Sequence, residues 1–207
     1  MKIRITLTEE MLGTSSNSPD IHREFIASKA PDAHSIEEEV AAVGVDKVEN
    51  KSMTVFPRTE KGELFLWNYQ IKGFLKDACG MLSRSEDTEA GKVTAFRKII
   101  DGLIFPEPRK ILINPPKGEK EVAVGKCVRP LRANTPQGER VSLAASETVP
   151  TGCWFDVEFK LFELRTDKKN ATTLPVLLKE LLDYGQYRGL LQWRNSGKGT
   201  FTWEEIK

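Results

Sequence analysis

Two stretches near opposite ends of the chain alternate apolar and polar residues with a period of two. That restricts the chain to folds built around a half-buried sheet. In residues 2–8, Ile3, Ile5 and Leu7 fall on one side, and Lys2, Arg4 and Thr6 on the other. Residues 153–164 repeat the pattern over a longer span, with Trp154, Val157, Phe159, Leu161 and their neighbours suiting a long strand with one buried face. Successive side chains of a strand point to opposite faces, so such alternation marks one face turned to a core.

Between these stretches the period changes. In residues 68–82, Ile71, Phe74, Leu75, Ala78, Cys79 and Leu82 recur at three- and four-residue spacing. This predicts a helix capped by Asn68, with Gly80 near its end. A second helix fits residues 93–105, with Phe96, Ile99, Ile100 and Leu103 on one face, and a third fits 174–184, striped by Leu177, Leu178, Leu181 and Leu182. Short strands fit 53–57 and 63–67 around a hairpin-length turn, then 111–113, then 126–131 and 140–147 on either side of a turn at 132–138. Residues from about 14 to 52 read as an insertion, polar from residue 20 onward. It holds two short helical options, 21–28 and 35–43, the second with Ser35 and Glu38 at capping-box spacing. The order is strand, insertion, hairpin, two helices, strands, helix and a glycine-rich tail. It predicts one α+β domain with helices on one face of an antiparallel sheet.

With 207 residues, 39% of them hydrophobic and 29% charged, the chain is an ordinary globular one. It has no apolar run of about 18 residues to span a membrane. Its first residues lack the apolar core of a secretion signal, so a cytoplasmic protein is expected. Cys79, Cys127 and Cys153 are too scattered for zinc spacing or a disulfide framework and read as reduced thiols. No P-loop, G-x-S-x-G elbow or H-E-x-x-H motif occurs. The consecutive Glu37, Glu38 and Glu39 do not face one point on a helix, so neither a metal nor a cofactor is expected. The net charge of +1 conceals a mild tilt, with 17 Lys and Arg against 13 Asp and Glu from Glu107 onward.

The residues that carry chemistry lie mostly near the C-terminus. A loop with Gly189, Gly197 and Gly199 can bring main-chain N–H groups close to a phosphate, because no Cβ blocks the approach. Arg188, Arg194 and Lys198 supply charge beside them, and Trp193 offers a face on which a base can stack. The same residues also suit a glycine-containing hairpin with a core tryptophan. On the first helix, Lys72 and Lys76 lie one turn apart opposite the apolar stripe, with Tyr69 near the start. They are either a phosphate site at the helix N-terminus or a solvated face. Arg129, Arg132 and Arg140, around the 132–138 turn, could extend a basic track.

Four local patterns, in this order, resemble the RAMP superfamily, and specifically the backbone subunits that coat guide RNA in CRISPR effector complexes. They are Thr8–Thr14 after the first strand, Leu66–Lys76 with its Lys72-Gly73 pair, Glu147–Phe155 leading into the late strand, and the glycine-rich Tyr187–Gly199. Leu191 stands where that superfamily often has another glycine, and Thr200 where an apolar residue is usual. The resemblance implies a ferredoxin-like or RRM-like sheet. It also implies single-stranded guide RNA as ligand, with other effector subunits or further copies along the RNA as partners. The implied RNA-binding residues are Tyr69, Lys72, Lys76, Arg129, Arg132, Arg188, Trp193, Arg194, Gly197, Lys198 and Gly199.

A non-enzymatic binder is therefore the expectation. Some relatives cleave RNA with a histidine or with an aspartate after the first strand. His22, His34, Asp20 and Asp32 keep a metal-independent endoribonuclease as one alternative. A phage-borne inhibitor or mimic acting on a CRISPR complex is the other.

Overall fold

The computed structural model describes residues 1–16, 53–135, 138–166 and 170–207. The helical options within 20–52, with His22, His34, Asp20 and Asp32, lie outside the described residues. In chain order the strands are β1 (Lys2–Leu7), β2 (Met11–Leu12), β3 (Ser15–Ser16), β4 (Met53–Val55), β5 (Phe65–Trp67), β6 (Ile104–Glu107), β7 (Lys110–Leu112), β8 (Gly125–Thr135), β9 (Gly138–Val149), β10 (Trp154–Leu161) and β11 (Phe201–Glu205). The helices are α1 (Asn68–Leu82), α2 (Phe96–Leu103) and α3 (Leu174–Asp183).

The two alternating stretches pair with each other at the centre of the main sheet. Its order is β11-β1-β10-β6, antiparallel throughout. With α1 and α2 between β1 and β6, and α3 between β10 and β11, this is the β-α-β-β-α-β plan of ferredoxin-like α+β domains. Ile3, Ile5 and Leu7 of β1, and Phe155, Val157 and Phe159 of β10, share the core with Phe74, Leu75 and Ala78 of α1 and Leu177, Leu178 and Leu181 of α3. Burying each such side chain contributes about 1.5–3 kcal/mol. Trp154 falls on the opposite face from these, because Phe155 takes the inward position. There the Arg4 guanidinium lies 3.8 Å over its ring while bonding Asp156.

The second helix is shorter than its periodicity suggests. α2 ends at Leu103, and residues 104–107 become the edge strand β6, with Ile104 and Pro106 buried and Phe105 exposed. The helical spacing holds through Ile100 and Leu103, and pairing with β10 decides the residues that follow. Asn68 is the first helical residue rather than the cap; its side chain donates to the Pro106 carbonyl, and Gln70 accepts the Trp67 N–H at 2.9 Å.

A second sheet is built on β9, which pairs β8 along its length, β4 in parallel and β2 antiparallel. The turn expected at 132–138 is narrower, since β8 and β9 extend to Thr135 and Gly138. Glu147 ties this sheet down: its carboxylate accepts from the Phe56 main chain and from Arg58, at 2.9 and 2.6 Å. Ser15 faces Val55 and Ser16 faces Thr54, so the chain on either side of residues 17–52 meets in one β-pair. Among the described residues, no helix is long and apolar enough to cross a membrane, and no His, Cys, Asp and Glu cluster could hold a metal.

Candidate nucleic-acid interface

The segment from α3 to β11 packs on the same helix that carries Lys72. Two glycines make this possible. A Cβ on Gly189 would overlap the main chain of Lys198 and Gly199, and Gly199 sits at φ +73 against Leu190. The close approach is sealed by the Leu190 N–H donating to the Gly199 carbonyl at 2.8 Å. Gly199 donates in turn to the Glu10 carbonyl, and Gly197, also left-handed, donates to the Arg194 carbonyl. The amides of Gly197 and Gly199 are therefore engaged in shaping the loop.

The cations of this segment meet carboxylates. Arg188 forks onto Asp77 of α1 through Nε and Nη2, and Arg194 reaches the same carboxylate at 3.0 Å. The hydrogen bond to Asp77 holds the Arg188 guanidinium above its ordinary pKa. Lys198 pairs with Glu10 at 2.7 Å, which raises its pKa likewise. On the other side of α1, Lys76 pairs with Asp101 at 2.9 Å. Lys72 instead donates to the main-chain oxygen of Asp101 and lies 4.3 Å over the Phe105 ring, where burial lowers its pKa. Lys72 is thus half-buried and laid across a ring, not extended into solvent.

A different arrangement surrounds Gln192. Its amide donates to the Gly13 carbonyl at 2.6 Å and to Thr54 at 3.0 Å, and it accepts from Arg129 of β8 at 2.8 Å. The Arg129 guanidinium lies 5.0 Å from the centre of the Trp193 ring, within cation–π range. Its Nη1 is buried and has no hydrogen-bond partner among the described residues. Trp193 remains 40% exposed. Next door, Gln70 of α1 bonds Thr14 at 2.8 Å, and Tyr69, 43% exposed, stacks on Trp67. Arg132 pairs with Val141 along the β8–β9 ribbon. Its side chain, like that of Arg140, lies outside the described part of the structure.

The expected residues thus divide into two groups. Arg129 and Trp193 gather at Gln192, which bonds Gly13, whereas Arg188, Arg194, Lys198 and Lys76 are tied to carboxylates. Gln192, Asp77 and Thr54 escape sequence reasoning. Neutral or acidic residues carry no signal until their partners, 138, 111 and 92 positions away for three of the bonds, are known.

No family model matches the chain, and no curated protein matches it. Solved structures do. A chain of the type III-B Cmr-beta assembly, seen by cryo-EM bound to cognate target RNA, shares this fold. The match has a TM-score of 0.53 and 12% identity, over 100% of this chain and 58% of that one. This chain therefore spans little more than half the length of that neighbour. Crystalline Cmr4 aligns over 100% of this chain and 99% of its own at 11% identity, with a TM-score of 0.42 that carries no argument. At these identities the likeness concerns the fold, which the strand order had already specified.

Proposed function

We propose that this protein binds single-stranded RNA without cleaving it, as a guide-RNA-coating subunit of a CRISPR effector complex does. The observation that carries this reading is the Arg129–Trp193 pair, an exposed indole backed by a guanidinium that bonds the neutral Gln192. A base can stack on the exposed Trp193 ring while the Arg129 charge behind it attracts the sugar-phosphate chain at longer range. Tyr69, next to the Gln70 that bonds Thr14, offers a second exposed ring. The arginines on Asp77 and the lysine on Glu10 serve to shape the loop, so RNA affinity rests on fewer cations than the sequence contains.

The fold neighbour supports the reading, since it belongs to an assembly bound to target RNA. On this view the partners are guide RNA, further copies along it and other effector subunits. The place of work is the cytoplasm and the role antiviral defence. Filter binding of labelled single-stranded RNA tests it. Affinity should fall steeply with salt, and Trp193→Ala should weaken binding about tenfold. Absence of binding at low salt ends the proposal.

A further inference from the structure

Beside Lys72 of α1 lies a second aromatic surface, apart from the Arg129–Trp193 pair. Phe105 of β6 and Phe162, just beyond β10, meet edge to face with ring centroids 5.7 Å apart. Both are exposed, Phe105 at 36% and Phe162 at 61%, the latter among the most exposed large apolar side chains described. The pair is held in place: Phe162 N–H donates to the Leu103 carbonyl at 3.1 Å, and Phe105 stands opposite Lys160 across the β6–β10 pair. Lys72 caps it from α1, its ammonium 4.3 Å over the Phe105 ring.

Charge separates this patch from an ordinary hydrophobic contact. Lys76 takes the Asp101 carboxylate and Lys72 only its main-chain oxygen, while Lys160, opposite Phe105, pairs with Glu107. Lys72 is therefore the cation at the rings without a carboxylate partner among the described residues. Two exposed rings beside the Lys72 ammonium match the parts of one nucleotide, a flat base next to a phosphate. The patch is also connected to the first site through named contacts. Trp193 adjoins Gln192, which bonds Gly13; Thr14 bonds Gln70; and Gln70 and Tyr69 open the helix turn that carries Lys72.

We infer that Phe105, Phe162 and Lys72 form a second nucleotide subsite, where an RNA strand that crosses the N-terminus of α1 from Trp193 stacks another base. The inference rests on the RNA-binding reading above and adds the direction of the strand.

The test compares a uridine oligomer with an abasic sugar-phosphate oligomer of the same length, because only the first can stack. Phe162→Ala and Phe105→Ala should each weaken uridine binding about fivefold and leave abasic binding unchanged. Phe162→Trp should retain full uridine affinity. Lys72→Gln should weaken both oligomers alike, as loss of a phosphate contact does; unchanged binding of both would remove Lys72 from the subsite. If Trp193→Ala weakens uridine binding while both phenylalanine variants leave it intact, the subsite is overturned and the RNA-binding reading stands. If the wild-type protein binds neither oligomer, that reading falls and takes the subsite with it. Loss of self-association in sedimentation, with RNA binding intact in the Phe162 variant, would overturn the inference in favour of a protein contact.

Discussion

Two basic regions flank α1, and they differ in what faces their cations. Around Asp77, the guanidiniums of Arg188 and Arg194 converge on one carboxylate. Around Gln192, the guanidinium of Arg129 meets an amide oxygen and an indole ring. The first arrangement closes a loop by ion pairing, whereas the second sets the cation against neutral partners. Positive residues counted along a sequence therefore overstate the charge presented to RNA, because a carboxylate folded against an arginine cancels its field.

The comparison breaks most visibly at Asp77. Asp77→Ala leaves two partly buried guanidiniums without their shared acceptor and should lower unfolding free energy by about 2–3 kcal/mol in urea titration. Arg129→Ala should stay within about 1 kcal/mol of wild type in the same assay. Equal losses in the two variants would erase the distinction between a loop-closing and a ligand-facing arginine.

RNA affinity should rank the other way. Arg129→Ala is expected to cost about tenfold in filter binding, and Lys198→Ala, whose ammonium already pairs with Glu10, less than about threefold. A finer measure is the salt dependence of binding. Its slope should fall by about one for Arg129→Ala or Lys72→Gln and barely change for Lys198→Ala. A Lys198 variant with the larger slope change would place the phosphate path on the wrong side of the loop.

The smallest effect lies beneath both regions. Burial pushes the Cys79 thiol, on α1, up to about 12, and that of Cys153 up to about 11, from an ordinary 9.0. The folded protein thus holds these protons more tightly than the unfolded chain does. Their contribution to stability is full below pH 9 and is lost as pH rises towards 11–12. Urea midpoints should therefore decline above pH 9, whereas alkylation at pH 8 should reach the half-buried Cys127 first. Asp77→Ala should speed labelling of Cys79 more than Arg129→Ala does, if the Asp77 side is the structural one.

Much of the fold is legible in the sequence because it rests on local periods. The alternation in residues 2–8 and 153–164 marks the two central strands, and the leucine stripe at 177–182 marks α3. What is hidden lies where two periods agree for a few residues. The helix read over 93–105 stops short because Ile104 and Pro106 are buried on the sheet. Trp154, the largest apolar residue in its stretch, suggests the wrong inward set until Phe155 is found in the core. The interface is legible only in part, for a related reason. Gly189, Trp193 and Arg129 stand out by type, but Asp77 and Gln192, which sort the cations by task, acquire meaning only through contacts more than 60 residues away.

The pairing of Ser15 with Val55 and Ser16 with Thr54 works as a clasp. Once two strands are stitched side by side, whatever chain runs between them adds little to the entropy of closure, which grows only with the logarithm of loop length. Replacing the stretch between Ser16 and Met53 with a tight turn should then change the entropy of closing this β-pair only modestly.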